Sequence, residues 1–358
     1  MKESYFQTAI AFGNLYRGLK KSCRNVRWKD SVISYENNAL KNTLKLRKSI
    51  LDGTYKISKY QIFQIFEPKK RVIVASRLVD RQFQRALCDA GLYQDIVEHF
   101  IRDNVACQVG KGTDDAIKRL KIQLHRYYRK HGSKGWALKC DVYHFFPETQ
   151  HEVAKRAVRK YVSDKEAAEA VCVVIDSFEG DKGIGLGSQI SQLIELLVLN
   201  DMDHYIKERL HIKYYVRYMD DFILIHEDRV YLKHCREEIK GILAGLGLKL
   251  NEKTCIYPLS QGVKFLKWRF VLTDTGKILM LMDRQKLKKQ RTRMKKLWAL
   301  EQAGKVEIGT TEASLQSWLS NAKRGDTHYR QKRMVNFYEN LIEGGSSYDK
   351  KVSRAKSA

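Results

Sequence analysis

Residues 214–226, YYVRYMDDFILIH, predict a β-hairpin that presents two acidic residues at its turn. β-Branched and aromatic residues dominate both arms, which flank Tyr218, Met219, Asp220 and Asp221. Two adjacent carboxylates between apolar strands repel each other and lose hydration, and a bound divalent cation would offset both effects. An Asp-Asp pair is also consistent with an ordinary polar turn, so the hairpin alone leaves both interpretations open.

A third acid strengthens the catalytic interpretation. Asp141 lies at the end of a short apolar strand predicted in residues 136–142, WALKCDV. Three carboxylates from two strands can hold two Mg²⁺ ions about 4 Å apart, an arrangement suited to in-line displacement at phosphorus. We therefore predict that Asp141, Asp220 and Asp221 are catalytic metal ligands for nucleotidyl transfer. The backbone carbonyl of Val142 is a further candidate oxygen ligand, and Mn²⁺ is a candidate substitute metal.

Between these acids lies a glycine-rich turn, residues 183–192, GIGLGSQISQ, which precedes a predicted helix. Glycines permit close approach of the backbone to a base pair, and a helix N-terminus attracts phosphate. Gly187, Ser188 and Gln189 are therefore predicted nucleotide contacts, and Ser188 and Ser191 are candidate helix caps. The same pattern is also typical of a loop that simply precedes a helix.

The remaining pattern predicts an α+β protein with an antiparallel core. Residues 1–52 look helical and basic, and residues 60–73 read as two strands around a turn at 68–70. A strongly basic helix is predicted in 284–300, followed by further helices. Residues 344–358 have the Gly, Ser and Lys content of a flexible tail.

Composition points to a polyanionic partner. The 358 residues include 67 Lys and Arg against 41 Asp and Glu, a net charge of +26 that is spread along the chain. Charge that serves only solubility is the alternative, although such an imbalance repels itself in a compact state. The seven cysteines are widely spaced and predict reduced thiols, and charges interrupt every apolar run. The expectation is a soluble cytoplasmic protein with no membrane partner.

In order and spacing, these motifs resemble those of the reverse transcriptases. Residues 141–146 resemble the first catalytic motif of the family, the glycine-rich turn resembles its template- and nucleotide-contacting motif, and 218–221 resemble its YxDD signature. The resemblance covers roughly residues 35–330. It implies a right-hand polymerase with an antiparallel palm sheet: a basic helical extension in 1–52, fingers and palm in 53–270, and a helical thumb in 271–343.

Three further positions acquire roles through this resemblance. Arg71 matches the fingers residue that grips the incoming triphosphate, and Lys253 matches the lysine that follows the palm hairpin. A guanidinium binds phosphate oxygens in a fork, and an ammonium could protonate the pyrophosphate leaving group. Phe146 matches the aromatic residue that excludes a ribose 2′-hydroxyl, which implies deoxynucleotide substrates. Taken singly, each cation is also consistent with a solvated surface residue, and Phe146 with a core residue.

The resemblance also implies where template and primer bind. Residues 262–270, GVKFLKWRF, look like the primer grip, and the basic helix can track a phosphate backbone. A solvated charged face is the alternative for that helix. The predicted template and primer contacts are Tyr218, Met219, Gly262, Lys264, Trp268, Lys288, Lys289, Arg291 and Arg293.

Details of the middle motif indicate a subfamily. Gly187 followed by Ser191 and Gln192 is similar to the motif of reverse transcriptases from diversity-generating retroelements, as are residues 107–113 and 314–319. This resemblance implies error-prone copying of a structured template RNA into cDNA, with a small basic helical accessory protein as partner. Leu186 lies where retroviral and group II intron enzymes usually have a glutamine. Loss of a side chain that could form hydrogen bonds around the incoming nucleotide loosens discrimination between nucleotides. Residues 194–200, IELLVLN, depart from the small and aromatic residues usual there.

Other functions remain open at this point. A phage-defence or group II intron-like reverse transcriptase would share most of these motifs. A non-catalytic, maturase-like RNA-binding protein would also use the basic helix, but it would have no need for three carboxylates at strand ends. The three acids therefore favour an enzyme.

Overall fold

The protein is described here by a computed structural model that covers residues 4–66 and 70–356. The chain forms two compact units. The first contains the residues up to Leu120 together with Leu138–Ile256, and the second contains Lys121–Ala137 and the residues from Tyr257 onwards.

Helices and strands alternate along the chain, as the sequence predicts. The helices are α1 Tyr5–Ile10, α2 Phe12–Ser22, α3 Asp30–Asn37, α4 Ala39–Leu51, α5 Leu78–Leu87, α6 Tyr93–Val97, α7 Thr113–His131, α8 Phe145–Glu148, α9 His151–Tyr161, α10 Lys165–Asp176, α11 Gln189–Val198, α12 Asn200–Glu208, α13 Arg229–Gly245, α14 Arg284–Gln302, α15 Thr310–Ala322 and α16 His328–Lys356. The strands are β1 Gln61–Ile65, β2 Arg71–Ala75, β3 Trp136–Asp141, β4 Tyr214–Tyr218, β5 Asp221–His226, β6 Cys255–Pro258, β7 Val263–Phe265, β8 Trp268–Leu272 and β9 Ile278–Met282. A π-helical turn, Cys88–Leu92, joins α5 to α6, and a 3-10 turn, Leu259–Gln261, follows β6.

The N-terminal helices belong to the first unit and pack against α5. A Cβ atom at Gly18 would lie 2.6 Å from the carbonyl oxygen of Gln82, so only glycine permits this approach of α2 to α5. The Gln82 amide donates to the Leu15 carbonyl at 3.2 Å and to the Thr43 hydroxyl at 2.9 Å. The described residues up to Leu51 therefore form four helices, α1 to α4, and are anchored to α5 by a buried polar contact.

The predicted acidic hairpin is present in a four-stranded sheet with the strand order β4-β5-β3-β6. Tyr218 pairs with Asp221 across antiparallel strands, which leaves Met219 and Asp220 as a two-residue turn. Met219 has a φ of 57°, because a tight hairpin turn of this length requires positive φ values. Strand β5 lies next to β3, so the hairpin adjoins the strand that ends at Asp141.

A second hairpin corresponds to the strands predicted in residues 60–73. Strands β1 and β2 are antiparallel, and Ile65 pairs with Arg71. Pro68 and Lys69 of the predicted turn lie outside the described residues.

The second unit contains an antiparallel sheet with the order β7-β8-β9. The segment 262–270, which the sequence analysis grouped with residues 53–270, therefore belongs to the unit that contains α14. Trp268 is 5% exposed and packs closely on Gly325. Helix α16 continues through Gly344 to Lys356, across most of the segment for which the sequence predicts a flexible tail.

The helices and cysteines bear on the expectations about membranes and disulfides. No helix within the described ranges is both long and apolar enough to cross a membrane. All seven cysteines are free thiols, and five of them are buried.

Candidate active site

The three predicted catalytic aspartates come together at one end of the first unit's sheet. Asp141 is the last residue of β3, and Asp221 is the first residue of the neighbouring β5. The Val142 N–H donates to the Asp220 carbonyl oxygen at 3.2 Å, which ties the end of β3 to the hairpin turn. The Asn251 N–H donates to the Asp141 carbonyl oxygen at 2.7 Å. Backbone contacts thus fix the positions from which the carboxylates project.

The electrostatics of these acids fit a divalent cation. Burial raises the pKa of Asp220 above its ordinary value, and the nearby Asp141 raises it further. Burial also raises the pKa of Asp221 to about 6, with repulsion from both other aspartates adding to the effect. Carboxylates that are crowded and partly desolvated are stabilised by a hard cation such as Mg²⁺, which prefers oxygen ligands. The donor set therefore fits the predicted metal.

A lysine that the sequence analysis did not single out contacts the acidic cluster. The Lys139 ammonium lies 3.0 Å from both carboxylate oxygens of Asp221. This contact lowers the pKa of Asp221 and opposes the larger effect of burial. Lys139 lies two residues before Asp141, so its side chain lies on the same face of β3 as this predicted catalytic aspartate. That spacing is the signal that could have identified it.

Arg71 lies at the start of β2 and is exposed. It is close enough to the acidic cluster to lower the pKa of Asp220. The glycine-rich turn packs against the same strand: the Val74 N–H donates to the Leu186 carbonyl at 3.0 Å, and a Cβ atom at Gly185 would lie 2.8 Å from the Val74 Cβ. The sequence predicts that these glycines allow a base pair to approach the backbone closely. In the structure they also allow close packing of β2, the strand that carries Arg71.

The start of α11 has the predicted cap. The Ser188 hydroxyl accepts a hydrogen bond from the Ser191 N–H at 3.0 Å, and the two hydroxyls are 2.8 Å apart. Gly187 has a φ of +141° and a potential Cβ only 3.1 Å from the Val74 carbonyl oxygen. The exposed Gln189 accepts a hydrogen bond from the Arg85 guanidinium at 3.1 Å. The Gln189 side chain is therefore already engaged by the protein.

Phe146 and Lys253 also belong to the first unit. Phe146 is half-buried in the short helix α8 and lines a cleft of about 450 Å³ that includes Val74 and Gly185. Lys253 is exposed, and its N–H donates to the Asn251 side chain at 3.1 Å. Because Asn251 also bonds the Asp141 backbone, the loop that carries Lys253 is tied to the acidic cluster.

A buried ion pair that was not predicted from the sequence supports the hairpin turn. Arg217 and Asp203 are both 0% exposed, with N···O distances of 2.6 and 2.7 Å. The Arg217 guanidinium also donates to the Met219 carbonyl at 3.0 Å, and the Tyr215 hydroxyl donates to Asp203 at 2.7 Å. Tyr218 and Met219 are half-buried. A charged residue in the middle of an apolar strand was the available signal.

A fourth acid is completely buried near the cluster. The Oε2 atom of Glu195, in α11, lies at hydrogen-bonding distance, 3.0 Å, from the Thr149 hydroxyl. Burial raises the pKa of Glu195 to about 8, and the charge of Asp220 adds to this effect. The sequence segment around Glu195 is otherwise apolar, so an acid within it was the signal for an unusual site.

The raised pKa of Glu195 predicts a pH-dependent stability. Between about pH 5 and pH 8 the folded chain holds one more proton at Glu195 than the unfolded chain, whose ordinary carboxyl pKa is 4.5. The contribution of Glu195 to the free energy of unfolding is therefore fully present below pH 4.5. It falls by about 1.4 kcal/mol per pH unit as the pH rises towards 8. Above pH 6, beyond the raised pKa of Asp221, urea unfolding should show a stability that falls more steeply with pH in the wild type than in Glu195→Gln. Parallel curves would contradict the assignment.

The predicted primer and template contacts outside the hairpin lie in the second unit. Gly262 has a φ of +77°, and a Cβ atom there would lie 2.9 Å from the Val271 side chain. Lys264 is exposed on β7, whereas Trp268 is buried in the core of this unit. The alternation of side chains along β8 points Trp268 inwards, and its direct contact with a nucleic acid stays a prediction.

The predicted nucleic-acid contacts on the basic helix α14 differ in how far their side chains are exposed. Lys288, Lys289 and Arg293 are exposed, while Arg291 is half-buried, with its guanidinium 5.1 Å from the centre of the Phe337 ring. Arg291 therefore contributes to packing between α14 and α16 as well as to the charge of the surface.

Replacing two exposed lysines on α14 should weaken RNA binding. We expect Lys288→Gln/Lys289→Gln to lower the affinity for RNA and to reduce the slope of log K against log salt by about 1.5, since each phosphate contact contributes 0.7–0.9. Fluorescence anisotropy at several salt concentrations measures both. The matched control, Lys165→Gln/Lys233→Gln, removes two exposed lysines from the first unit and should leave the slope unchanged. Equal slopes in all three proteins would exclude α14 as a phosphate-binding surface.

Another acidic group in the first unit does not form a comparable site. Asp95, Glu98 and His99 offer ligand atoms within 4.8 Å of one another. The Asp95 carboxylate is already bound by the Tyr5 hydroxyl at 2.9 Å and by the Ser163 N–H at 2.8 Å. These contacts give the cluster a structural role in joining α1 and the turn before α10 to α6.

Comparison with known proteins identifies the family. Residues 58–270 match the family model described as reverse transcriptase (RNA-dependent DNA polymerase), and this match covers more than half of the chain. The chain therefore belongs to the reverse transcriptase family. Protein YkfC of Escherichia coli (strain K12) is 26% identical over 273 residues, which are 63% of this chain and 70% of YkfC.

Solved structures show the same fold. The telomerase of Candida albicans, solved in complex with a TWJ fragment of telomeric RNA, superposes with a TM-score of 0.51 and 14% identity over 81% of this chain. This chain spans 55% of the length of that telomerase chain, and at such low identity the likeness concerns the fold alone. Together with the antiparallel sheets, it confirms the predicted α+β right-hand polymerase fold.

Proposed function

We propose that this chain is an RNA-directed DNA polymerase that extends a primer with deoxynucleotides. The observation that carries the proposal is the convergence of Asp141, Asp220 and Asp221 at one end of the sheet, with pKa values raised by burial and mutual repulsion. These carboxylates, with the Val142 carbonyl, would hold two Mg²⁺ ions. Such ions lower the pKa of a primer 3′-hydroxyl and neutralise the pyrophosphate that leaves.

The residues around the cluster support a triphosphate substrate. Arg71 is close enough to Asp220 to affect its ionisation, and its exposed guanidinium is available to phosphate oxygens. Lys253 lies on a loop that is tied to the Asp141 backbone through Asn251. In this proposal Arg71 binds the triphosphate, Lys253 assists the leaving group, and Phe146 excludes the ribose 2′-hydroxyl.

We further propose that the enzyme is the error-prone reverse transcriptase of a diversity-generating retroelement. Leu186 offers no side-chain amide to the nucleotide site, and its carbonyl is bound by the Val74 N–H. A site with fewer hydrogen bonds to the substrate discriminates less well between correct and incorrect nucleotides. The proposed partners are a structured template RNA, the cDNA or its primer, and a small basic helical accessory protein, and the proposed location is the cytoplasm.

Primer extension on a defined RNA template tests the whole proposal. The purified protein is supplied with deoxynucleotides and Mg²⁺, and in parallel with Mn²⁺ or no metal, and the products are sequenced. Metal-dependent cDNA supports the polymerase, and errors concentrated opposite template adenines support the diversity-generating assignment. Accurate cDNA would favour a phage-defence or intron-like enzyme. Absence of any product, even with the native RNA and accessory protein, would overturn the polymerase proposal and favour a maturase-like RNA-binding protein.

A further inference from the structure

Glu195 is a buried acid whose apolar surroundings favour a proton on its carboxyl group. It is 0% exposed in α11, and its Oε2 atom lies 3.0 Å from the Thr149 hydroxyl. Its Oε1 atom has no hydrogen-bond partner within the part of the chain that the structure describes. The adjoining residues of α11 are apolar, so an ionised carboxylate at this position would be strongly destabilising.

The Thr149 hydroxyl has one proton and two neighbouring acceptors. Its oxygen lies 2.9 Å from the Phe145 carbonyl and 3.0 Å from the Glu195 carboxyl. If the hydroxyl donates to the carbonyl, an ionised Glu195 would face only an oxygen lone pair. A protonated Glu195 completes the chain instead, because its O–H donates to Thr149 and the Thr149 O–H donates to Phe145. In this arrangement the Thr149 hydroxyl both donates and accepts while the buried Glu195 carries no charge, and avoiding that buried charge favours the neutral acid.

This hydrogen-bonded chain ends on α8, the short helix that carries Phe146. Four residues are too few for a helix to be stable by itself, so α8 depends on tertiary contacts for its orientation. On one side the Phe146 carbonyl accepts from the Ile184 N–H at 2.9 Å, and the Thr149 carbonyl accepts from the Gly183 N–H at 2.8 Å. On the other side the Glu195–Thr149 contact links α8 to α11. The position of Phe146 is set between these two attachments.

We propose that neutral Glu195 is a positioning residue for sugar selection: through Thr149 it holds α8 so that Phe146 excludes nucleotides bearing a 2′-hydroxyl. This inference rests on the proposed polymerase function and on the role proposed there for Phe146. An apolar residue in place of Glu195 would be simpler to bury, but it could not donate to Thr149. A small displacement of the Phe146 ring would strongly change the discrimination between deoxynucleotides and ribonucleotides, because the 2′-hydroxyl is excluded only by the shape of the site.

Single-nucleotide incorporation measures the effect. The ratio of kcat/KM for a deoxynucleotide to that for the matching ribonucleotide is determined for the wild type, Glu195→Gln, Glu195→Leu, Thr149→Val and Phe146→Val. The glutamine amide can donate to Thr149 as the acid does, so Glu195→Gln should keep the ratio within about twofold. Glu195→Leu and Thr149→Val should lower it about tenfold, mainly through a lower KM for the ribonucleotide, and Phe146→Val should lower it at least as much.

The controls separate this inference from loss of stability and from the proposed function itself. Leu19→Ala removes buried side-chain volume from a core cluster of α2 with Cys23, Val32 and Leu78, which does not include Thr149, and should leave the ratio unchanged even where it lowers the melting temperature. If Leu19→Ala also lowered the ratio, a general loosening of the fold would be the cause and the inference would fail. Thr149→Val provides the test if Glu195→Leu does not fold.

Three further outcomes are distinct. A wild type that makes no cDNA overturns the proposed function. A wild type that makes cDNA, with a lower ratio in Phe146→Val but an unchanged ratio in Glu195→Leu or Thr149→Val, overturns the inference alone. An unchanged ratio in Phe146→Val removes the role proposed for Phe146 and the inference with it.

Discussion

Replacing Asp220 by asparagine is expected to lower primer extension by about 100- to 1,000-fold or more while leaving the fold intact, since the amide keeps the shape of the side chain but not its charge. Burial and the nearby Asp141 raise the pKa of Asp220, so its ionised form is unfavourable in the metal-free protein. Asp220→Asn should therefore unfold at the same or a higher urea concentration than the wild type. Loss of activity without loss of stability is the signature of a functional acid.

Primer extension and urea unfolding on the same preparations measure both quantities. Asp52→Asn, a substitution at the C-terminal end of α4, provides the matched control and should change neither. A stable Asp220→Asn protein with near wild-type extension would remove Asp220 from the catalytic set. A destabilised variant would instead indicate that Asp220 has a structural role in the turn.

The second large effect is expected at Arg217. Arg217→Met should lower the free energy of unfolding by about 3–5 kcal/mol, because it leaves the fully buried Asp203 charge without its partner. The same substitution removes the hydrogen bond to the Met219 carbonyl, so the acidic turn should lose its support and activity should fall as well. Urea denaturation and primer extension below the unfolding transition measure the two effects separately.

Two comparisons test the physical cause. The double variant Arg217→Met/Asp203→Asn should recover part of the lost stability, because it removes the unpaired charge. Arg236→Met breaks a contact with the exposed Glu237 and should change stability by less than about 1 kcal/mol. If Arg217→Met were as mild as Arg236→Met, the ion pair would not be an important support of the hairpin.

The sequence predicted the local elements of the site correctly. The alternation of apolar residues around Asp220 and Asp221 predicted the hairpin, and the strand that ends at Asp141 is present where expected. Ser188 caps α11 as its position suggested. These predictions succeeded because hairpins, strand ends and helix caps depend on residues that are neighbours in the sequence.

The charge pairing and the burial of side chains in those elements depend on residues that are distant in the sequence. The pairing of Lys139 with Asp221 depends on the adjacency of β3 and β5, which no local pattern specifies. Trp268 illustrates the same limit, because a residue in a strand becomes core or surface only when the face of the sheet is covered.

From the sequence alone, three acids at strand ends, a glycine-rich turn and a basic helix are predicted to carry the chemistry. What those side chains face, and therefore their ionisation, depends on the folded chain. Glu195 has an ordinary carboxyl in the sequence, but in the fold its pKa rises to about 8 because the packing of α11 removes it from water. Burial and charge pairing arise from contacts between segments far apart in the chain, and such contacts exist only once the chain has folded.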